Sequence, residues 1–151
     1  MTTTPPKSSA SILIAEDDTL IRDVYVEMLK NAGFEVEEAR DGKEALEKLS
    51  AGGYDLVLLD IIMPFIDGLG ILQTLKESPS KKKNEIILIC TSLAADPKVQ
   101  EALEMGAGGV IFKPDITPDQ LVDQVKKYLA KYITIKLKLG FNRAGRLIDQ
   151  L

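Results

Sequence analysis

The stretch Tyr54-Asp-Leu-Val-Leu-Leu-Asp60 decides the fold of this chain. Its four consecutive apolar residues, 56–59, form a run of strand length without polar alternation. Such a run is typical of a strand buried on both faces of a parallel sheet. Asp60 ends the run, so we expect its carboxylate at the carboxyl edge of the sheet, where open α/β folds bind ligands. A surface turn that begins with aspartate is the alternative for this residue alone.

Three further apolar runs also end in polar residues. Residues 11–15 lead into Glu16-Asp17-Asp18, residues 85–90 into Thr91, and residues 109–112 into Lys113. Each ending has an ordinary explanation by itself, as a helix cap, a turn or a solvated lysine. Four such endings on one sheet edge are hard to ascribe to chance, so we predict a common site there. One acid of the triplet can cap the next helix, and the other two favour a hard cation such as Mg²⁺.

Composition limits the possible functions. The chain has 151 residues, 45% of them apolar and 28% charged, which is ordinary for one globular domain. No apolar stretch reaches the roughly 18 residues of a membrane span, and we expect no membrane partner. Residues 1–10 predict a disordered leader and not a secretory signal. The only cysteine, Cys90, fits a reducing cytoplasm, and the absence of histidine excludes a role as a phosphohistidine donor.

Charge is distributed unevenly along the chain. The net charge is −4, but residues 126–151 contain seven basic residues and one acid, which leaves −10 on residues 1–125. A basic tail can contact nucleic acid or an acidic partner. A solvated helix face is the more common explanation, and we do not expect nucleic acid as a partner because no base-reading motif is present.

The C-terminal extension, residues 133–151, has a different pattern from the rest. Apolar residues at 133, 135, 137, 139 and 141 alternate with polar residues and glycine, and this period of two predicts a strand. The extension could be a truncated linker, an arm that pairs with another subunit, or a capping strand. A homo-oligomer formed through residues 133–151 is therefore possible.

These spaced elements together resemble the receiver domain of response regulators in two-component phosphorelays, over about residues 11–131. The residues that carry the resemblance are Glu16-Asp17, Asp60 with Met63-Pro64 and Asp67-Gly68, Thr91, Gly106-Ala107 and Lys113-Pro114. The resemblance implies a cytoplasmic signalling protein that catalyses only its own phosphorylation and dephosphorylation. A histidine kinase or phosphotransfer protein would phosphorylate it, and it would then change its contacts with an unknown downstream protein.

The order of the elements agrees with this resemblance. Predicted strands near 11–15, 34–38, 56–59, 85–91 and 109–112 alternate with predicted helices near 19–32, 42–50, 68–77, 97–106 and 118–132. Right-handed crossovers then give an α/β fold with a doubly wound, five-stranded parallel sheet and five helices. The flavodoxin-like strand order 2-1-3-4-5 places the site between strands 1 and 3. The receiver domain would span residues 11–132.

The resemblance also implies a role for each site residue. Asp60 is the phosphorylated nucleophile, and Asp17 and Asp60 bind Mg²⁺ directly. Glu16 holds the metal through water, and the backbone carbonyl of Ile62 is a further ligand. Thr91 and Lys113 bind phosphoryl oxygens, and Pro114 follows a cis peptide bond.

Two features depart from the family pattern. Val110 occupies the position where an aromatic side chain often switches together with Thr91. Ile62 and Leu93 occupy the positions that commonly tune the lifetime of the phosphoryl group, and both are apolar. We therefore predict a long-lived phosphorylated form, because water near the phosphoryl group would find no polar partner.

Two other functions remain open at this point. An aspartyl-phosphate phosphatase usually has a second acid two residues after its nucleophile, where this chain has Ile62. A receiver-like docking module that is never phosphorylated would not need the complete set Glu16, Asp17, Asp60, Thr91 and Lys113.

Overall fold

The computed structural model describes residues 9–93 and 95–145. Five parallel strands form one sheet in the order β2-β1-β3-β4-β5, as predicted. The strands are β1 (Ser11–Ala15), β2 (Glu35–Ala39), β3 (Leu56–Leu59), β4 (Ile86–Thr91) and β5 (Gly109–Phe112). The helices are α1 (Thr19–Asn31), α2 (Gly42–Ala51), α3 (Gly68–Glu77), α4 (Pro97–Glu104) and α5 (Pro118–Gly145), with a 3₁₀ turn at Lys113–Asp115.

Helices cover both faces of the sheet because the central strands are apolar on both sides. On β3, Val57 and Leu59 pack with α2, α3 and α4. Leu56 and Leu58 point to the other face and pack with α1 and α5. All four side chains are almost completely buried. The doubly wound arrangement therefore follows from an uninterrupted apolar strand, which one layer of helices could not cover.

Helix caps set the boundaries of the elements near the carboxyl edge. Asp18 accepts a hydrogen bond from the backbone N–H of Ile21 (3.0 Å), so the third acid of the triplet caps α1. Asp67 caps α3 through the N–H of Gly70 (2.8 Å). These carboxylates satisfy backbone donors that would otherwise have no partner. Each cap therefore sets the residue at which the loop after a strand ends and the next helix begins.

The last helix is longer than predicted, and the strand prediction at 133–141 is wrong. Helix α5 continues to Gly145. A strand there would need a partner for its backbone groups, whereas a helix that is already formed on the domain gains one backbone hydrogen bond with each added residue. Thr134 Oγ1 bonds the carbonyl of Ala130 (3.0 Å), as a helical residue does. Residues 146–151 lie outside the described residues, as do residues 1–8 of the predicted leader.

The prediction of a cis bond at Pro114 is also wrong. No cis peptide bond occurs among the described residues. Pro114 lies in the first turn of the 3₁₀ segment that follows the extended Phe112. A trans bond fits this path, and it is the more stable isomer by about 0.5–1 kcal/mol.

None of the described helices is long and apolar enough to cross a membrane.

Candidate functional site

Four strand ends bring the predicted residues together at the carboxyl edge. Glu16 and Asp17 follow β1, and Asp60 follows β3, which pairs directly with β1. The N–H of Asp60 bonds the carbonyl of Ala15 (3.1 Å), so the sheet ladder continues to the first site residue. Thr91 ends β4, and Lys113 follows β5. The sheet therefore sets the spacing of the site, and loops do not.

Lys113 joins the two buried acids. Its Nζ donates a hydrogen bond to Asp60 Oδ2 (2.8 Å) and another to Glu16 Oε1. The side chains of Lys113, Glu16 and Asp60 are all at least nine-tenths buried. Burial would lower the pKa of Lys113, but the bonds to Asp60 and Glu16 outweigh it and raise this pKa. The lysine is therefore held as a cation. Burial raises the pKa of Glu16, and the hydrogen bonds from Lys113 and the Asp18 N–H only partly oppose it.

Three carboxylates form a possible cation site. Oxygens of Glu16, Asp17 and Asp60 lie within 4.8 Å of one another. Asp17 is exposed, so a metal there would keep water in its coordination shell. Oxygen donors in this number fit Mg²⁺, which binds one or two carboxylates and retains several waters. The donor set therefore fits the predicted metal.

The predicted lifetime residues border the same cleft. A cleft of about 370 Å³ is lined by the acids, Thr91, Lys113, Ile62 and Leu93. Ile62 is 48% exposed and Leu93 is 41% exposed, so neither side chain is buried in the core. Thr91 is fully buried, and its Oγ1 accepts a hydrogen bond from the N–H of Leu93 (3.1 Å). Val110 packs against the core on the face of α2, α3 and α4.

Sequence reasoning missed Arg22, which bonds the backbone of a site residue although it does not line the cleft. Arg22 is only 6% exposed. Its guanidinium donates to the carbonyl of Glu16 (2.8 Å) and to Glu38 Oε1 on β2 (2.9 Å). A signal was present in the sequence, because Arg22, Tyr25, Val26 and Leu29 have the spacing of a buried helix face. A charge at such a position indicates a buried polar partner.

Two features of the β3–α3 loop were also missed. Phe65 is 79% exposed and has a φ of 74°, a left-handed conformation that costs a non-glycine residue roughly 1–2 kcal/mol. Asp67, besides capping α3, accepts a hydrogen bond from Lys98 Nζ of α4 (3.0 Å). Burial alone would raise the pKa of Asp67, but the Gly70 N–H and Lys98 lower it. The loop after Asp60 is therefore tied to both neighbouring helices. Single-sequence patterns give no sign of either feature.

Comparison with known proteins agrees with this geometry. The family model of the response regulator receiver domain matches residues 12–126. The chain is 33% identical over 119 residues to the chemotaxis protein CheY of Bacillus subtilis, covering 78% of this chain and 96% of that protein. It is 29% identical over 127 residues to a gliding motility regulatory protein of Myxococcus xanthus, covering 84% of this chain but only 16% of that longer protein.

Solved structures give the same result. A CheY-like receiver domain protein from Methanospirillum hungatei has a TM-score of 0.73 at 30% identity, with 84% of this chain and 98% of that chain covered. The chemotaxis response regulator CheY4 of Vibrio cholerae has a TM-score of 0.70 at 32% identity, with 80% and 98% covered. This chain belongs to the response regulator receiver domain family of two-component signalling.

Proposed function

We propose that this receiver domain is phosphorylated on Asp60 in a Mg²⁺-dependent reaction with a histidine kinase or phosphotransfer protein. The observation that carries the proposal is the position of Lys113, whose Nζ lies against both Asp60 and Glu16. Two acids are buried among the described residues; Glu16 belongs to the acid pair, and Asp60 faces both this pair and the lysine. Phosphorylation would then change the contacts that the domain makes with a downstream protein in the cytoplasm.

The chain's own residues would position the reaction. An Asp60 carboxylate oxygen attacks the phosphorus atom of the donor, a P–O bond forms, and the P–N bond of the donor phosphohistidine breaks. Its electron pair leaves with the imidazole. Lys113 would pair with one equatorial oxygen of the phosphoryl group, and the Thr91 hydroxyl would bond another. Transfer of this kind depends mainly on positioning and charge neutralisation.

Mg²⁺, when bound, would neutralise the negative charge that the carboxylates and the phosphoryl group bring together. Asp17 and Asp60 would be its carboxylate ligands, Glu16 would bind it through water, and the backbone carbonyl of Ile62 would be a further ligand. The cluster of carboxylate oxygens within 4.8 Å supports this assignment. Asp18 is excluded because its carboxylate caps α1.

The phosphatase alternative has less support. It needs a second acid near the nucleophile, and the side chain two residues beyond Asp60 is the apolar, half-exposed Ile62. A docking module that is never phosphorylated would not need the buried Lys113–Asp60–Glu16 arrangement. The proposed signalling unit is residues 11–132, with the C-terminal extension outside it.

Intact mass after incubation with acetyl phosphate and Mg²⁺ tests the proposal. The parent chain should gain a single phosphoryl group, and Asp60→Asn should gain none. Asp17→Ala should lose metal-dependent labelling. Asp18→Asn is the matched control. Asp18 is next to Asp17 but outside the proposed metal site, and asparagine also caps helices.

A full-strength adduct in Asp60→Asn would contradict the assignment of the nucleophile. If Asp18→Asn lost labelling to the same extent as Asp17→Ala while both remained folded, the metal ligands would be assigned wrongly. Catalytic turnover of a phosphate ester would favour the phosphatase instead.

A further inference from the structure

Helix α5 extends well beyond the body of the domain. Among the side chains that the structure describes, Tyr132 is the last of α5 that packs against the core cluster of α1 and α5. The helix continues to Gly145, and at about 1.5 Å per residue this adds roughly 20 Å. We call the segment from Lys126 to Gly145 the distal α5 segment. Its first part, through Tyr132, packs against the domain.

The distal α5 segment exposes large apolar side chains, two of them on one side of the helix and a third, Ile135 (48% exposed), on the other side. Ile133 is 54% exposed and Leu137 is 68% exposed. Four residues apart, they lie on the same side of the helix. Leu129, one turn earlier, is half-buried against the core. A helix normally presents polar residues to solvent, so exposed apolar residues one turn apart indicate a surface that is covered in use.

The charge of this segment decides between possible partners. Lys126, Lys127 and Lys131 are exposed on the same helix. The sequence from 126 to 151 carries seven basic residues and one acid, whereas residues 1–125 carry −10. A parallel pair of these helices from two copies would bring two basic segments together and two acidic domains side by side. Both contacts are repulsive, so charge opposes a parallel pair of copies, and the basic segment favours an anionic partner.

We propose that the distal α5 segment lies on an anionic lipid surface. Ile133 and Leu137 would enter the boundary between head groups and acyl chains, and the lysines would contact lipid phosphates. Apolar residues flanked by basic residues on one helix are the usual features of helices that bind in this way. The expectation of no membrane partner rested on the lack of a spanning segment. A helix that lies in the interface does not need one. The proposal is independent of phosphorylation at Asp60.

Co-sedimentation with large unilamellar vesicles tests this proposal on the full chain. Vesicles of phosphatidylcholine with about one-third phosphatidylglycerol should bind the protein, and vesicles of phosphatidylcholine alone should bind it at least about tenfold more weakly. Binding should weaken as salt is raised. Leu137→Asp should lower the partition coefficient at least about tenfold, because it removes apolar area and adds a negative charge at the lipid surface.

Leu20→Asp is the matched control. Leu20 is 78% exposed on α1, at the edge of the sheet opposite to the distal α5 segment. Its substitution makes the same change in charge and polarity as Leu137→Asp. Its partition should equal that of the parent. The proposal is overturned if anionic vesicles do not bind the parent, or if Leu137→Asp and Leu20→Asp bind equally. A third combination also overturns it: vesicles do not bind the parent, and sedimentation equilibrium shows that the parent is a dimer which the Leu137→Asp substitution dissociates.

Discussion

Gly68→Ala should damage both stability and phosphorylation, because α3 begins in direct contact with the backbone of the site. The N–H of Gly68 bonds the carbonyl of Ile61 (2.8 Å). A Cβ at position 68 would lie 2.5 Å from the carbonyl oxygen of Asp60 and 3.0 Å from the Cα of Ile61. Both obstacles are backbone atoms, which cannot rotate away. Gly68 does not have a positive φ, so the requirement is space and not conformational freedom.

The magnitude follows from two opposing terms. Separating these backbone atoms by several tenths of an ångström is an overpacking cost of about 1–3 kcal/mol. Alanine regains up to about 1 kcal/mol over glycine within a helix. We therefore expect the free energy of unfolding to fall by about 1–2 kcal/mol. Because the displaced atom belongs to Asp60, labelling by acetyl phosphate should slow by about tenfold, as an error of about 1 Å can cost 10²-fold.

Urea unfolding and the initial rate of labelling measure the two effects. Gly108→Ala is the control, since its new Cβ would meet nothing closer than a side-chain carbon of Ile86 at 3.4 Å. It should keep the stability and labelling rate of the parent. If Gly68→Ala unfolds at the same urea concentration as the parent and labels at the same rate, the contact between α3 and Asp60 does not hold the site.

Further outcomes follow from the same geometry. Lys98→Met should lower the free energy of unfolding at neutral pH only slightly, since Lys98 is 43% exposed and water screens its ion pair with Asp67. Because the folded pKa of Asp67 lies below its ordinary 3.8, this difference should be present above that pH and vanish in urea titrations as the pH falls through the folded value. Ile62→Asn combined with Leu93→Glu should shorten the phosphoryl lifetime, because general-base help to water is worth about 10²–10⁴-fold; an unchanged decay of label would refute apolar shielding. Cys90 is 4% exposed with a pKa raised by burial to about 12, so a thiol reagent should label it only after unfolding, and rapid labelling of the native protein would contradict this burial.

The sequence predicted those parts of the molecule that depend on local chemistry and strand order. The polar residues after four apolar runs met at one edge because parallel strands must end together there. At the start of α5, the Gln120 side chain accepts a hydrogen bond from the Thr117 N–H, and the Thr117 hydroxyl accepts one from the Gln120 N–H, which is a local capping box. Such features involve residues only a few positions apart, or strands whose order the crossovers restrict.

The failures concern choices that depend on distant parts of the chain. Alternation at residues 133–141 fitted a strand, but the described part of the chain offers no partner strand there and α5 already leads into these residues. The peptide bond before Pro114 follows from the path of the 3₁₀ turn. Arg22 was missed because its two partners, the carbonyl of Glu16 and the carboxylate of Glu38, lie on different strands.

The contacts of Arg22 have a consequence for how this site can be inherited or transplanted. The guanidinium links the strand that carries Glu16 and Asp17 to Glu38 on the neighbouring edge strand. A substitution of Arg22 alone would leave a backbone carbonyl without its donor and Glu38 without its cation. Positions 22 and 38 should therefore change together among descendants of this chain. A designer who grafts the four acidic and basic site residues onto another sheet would also need this pair, although neither member borders the cleft.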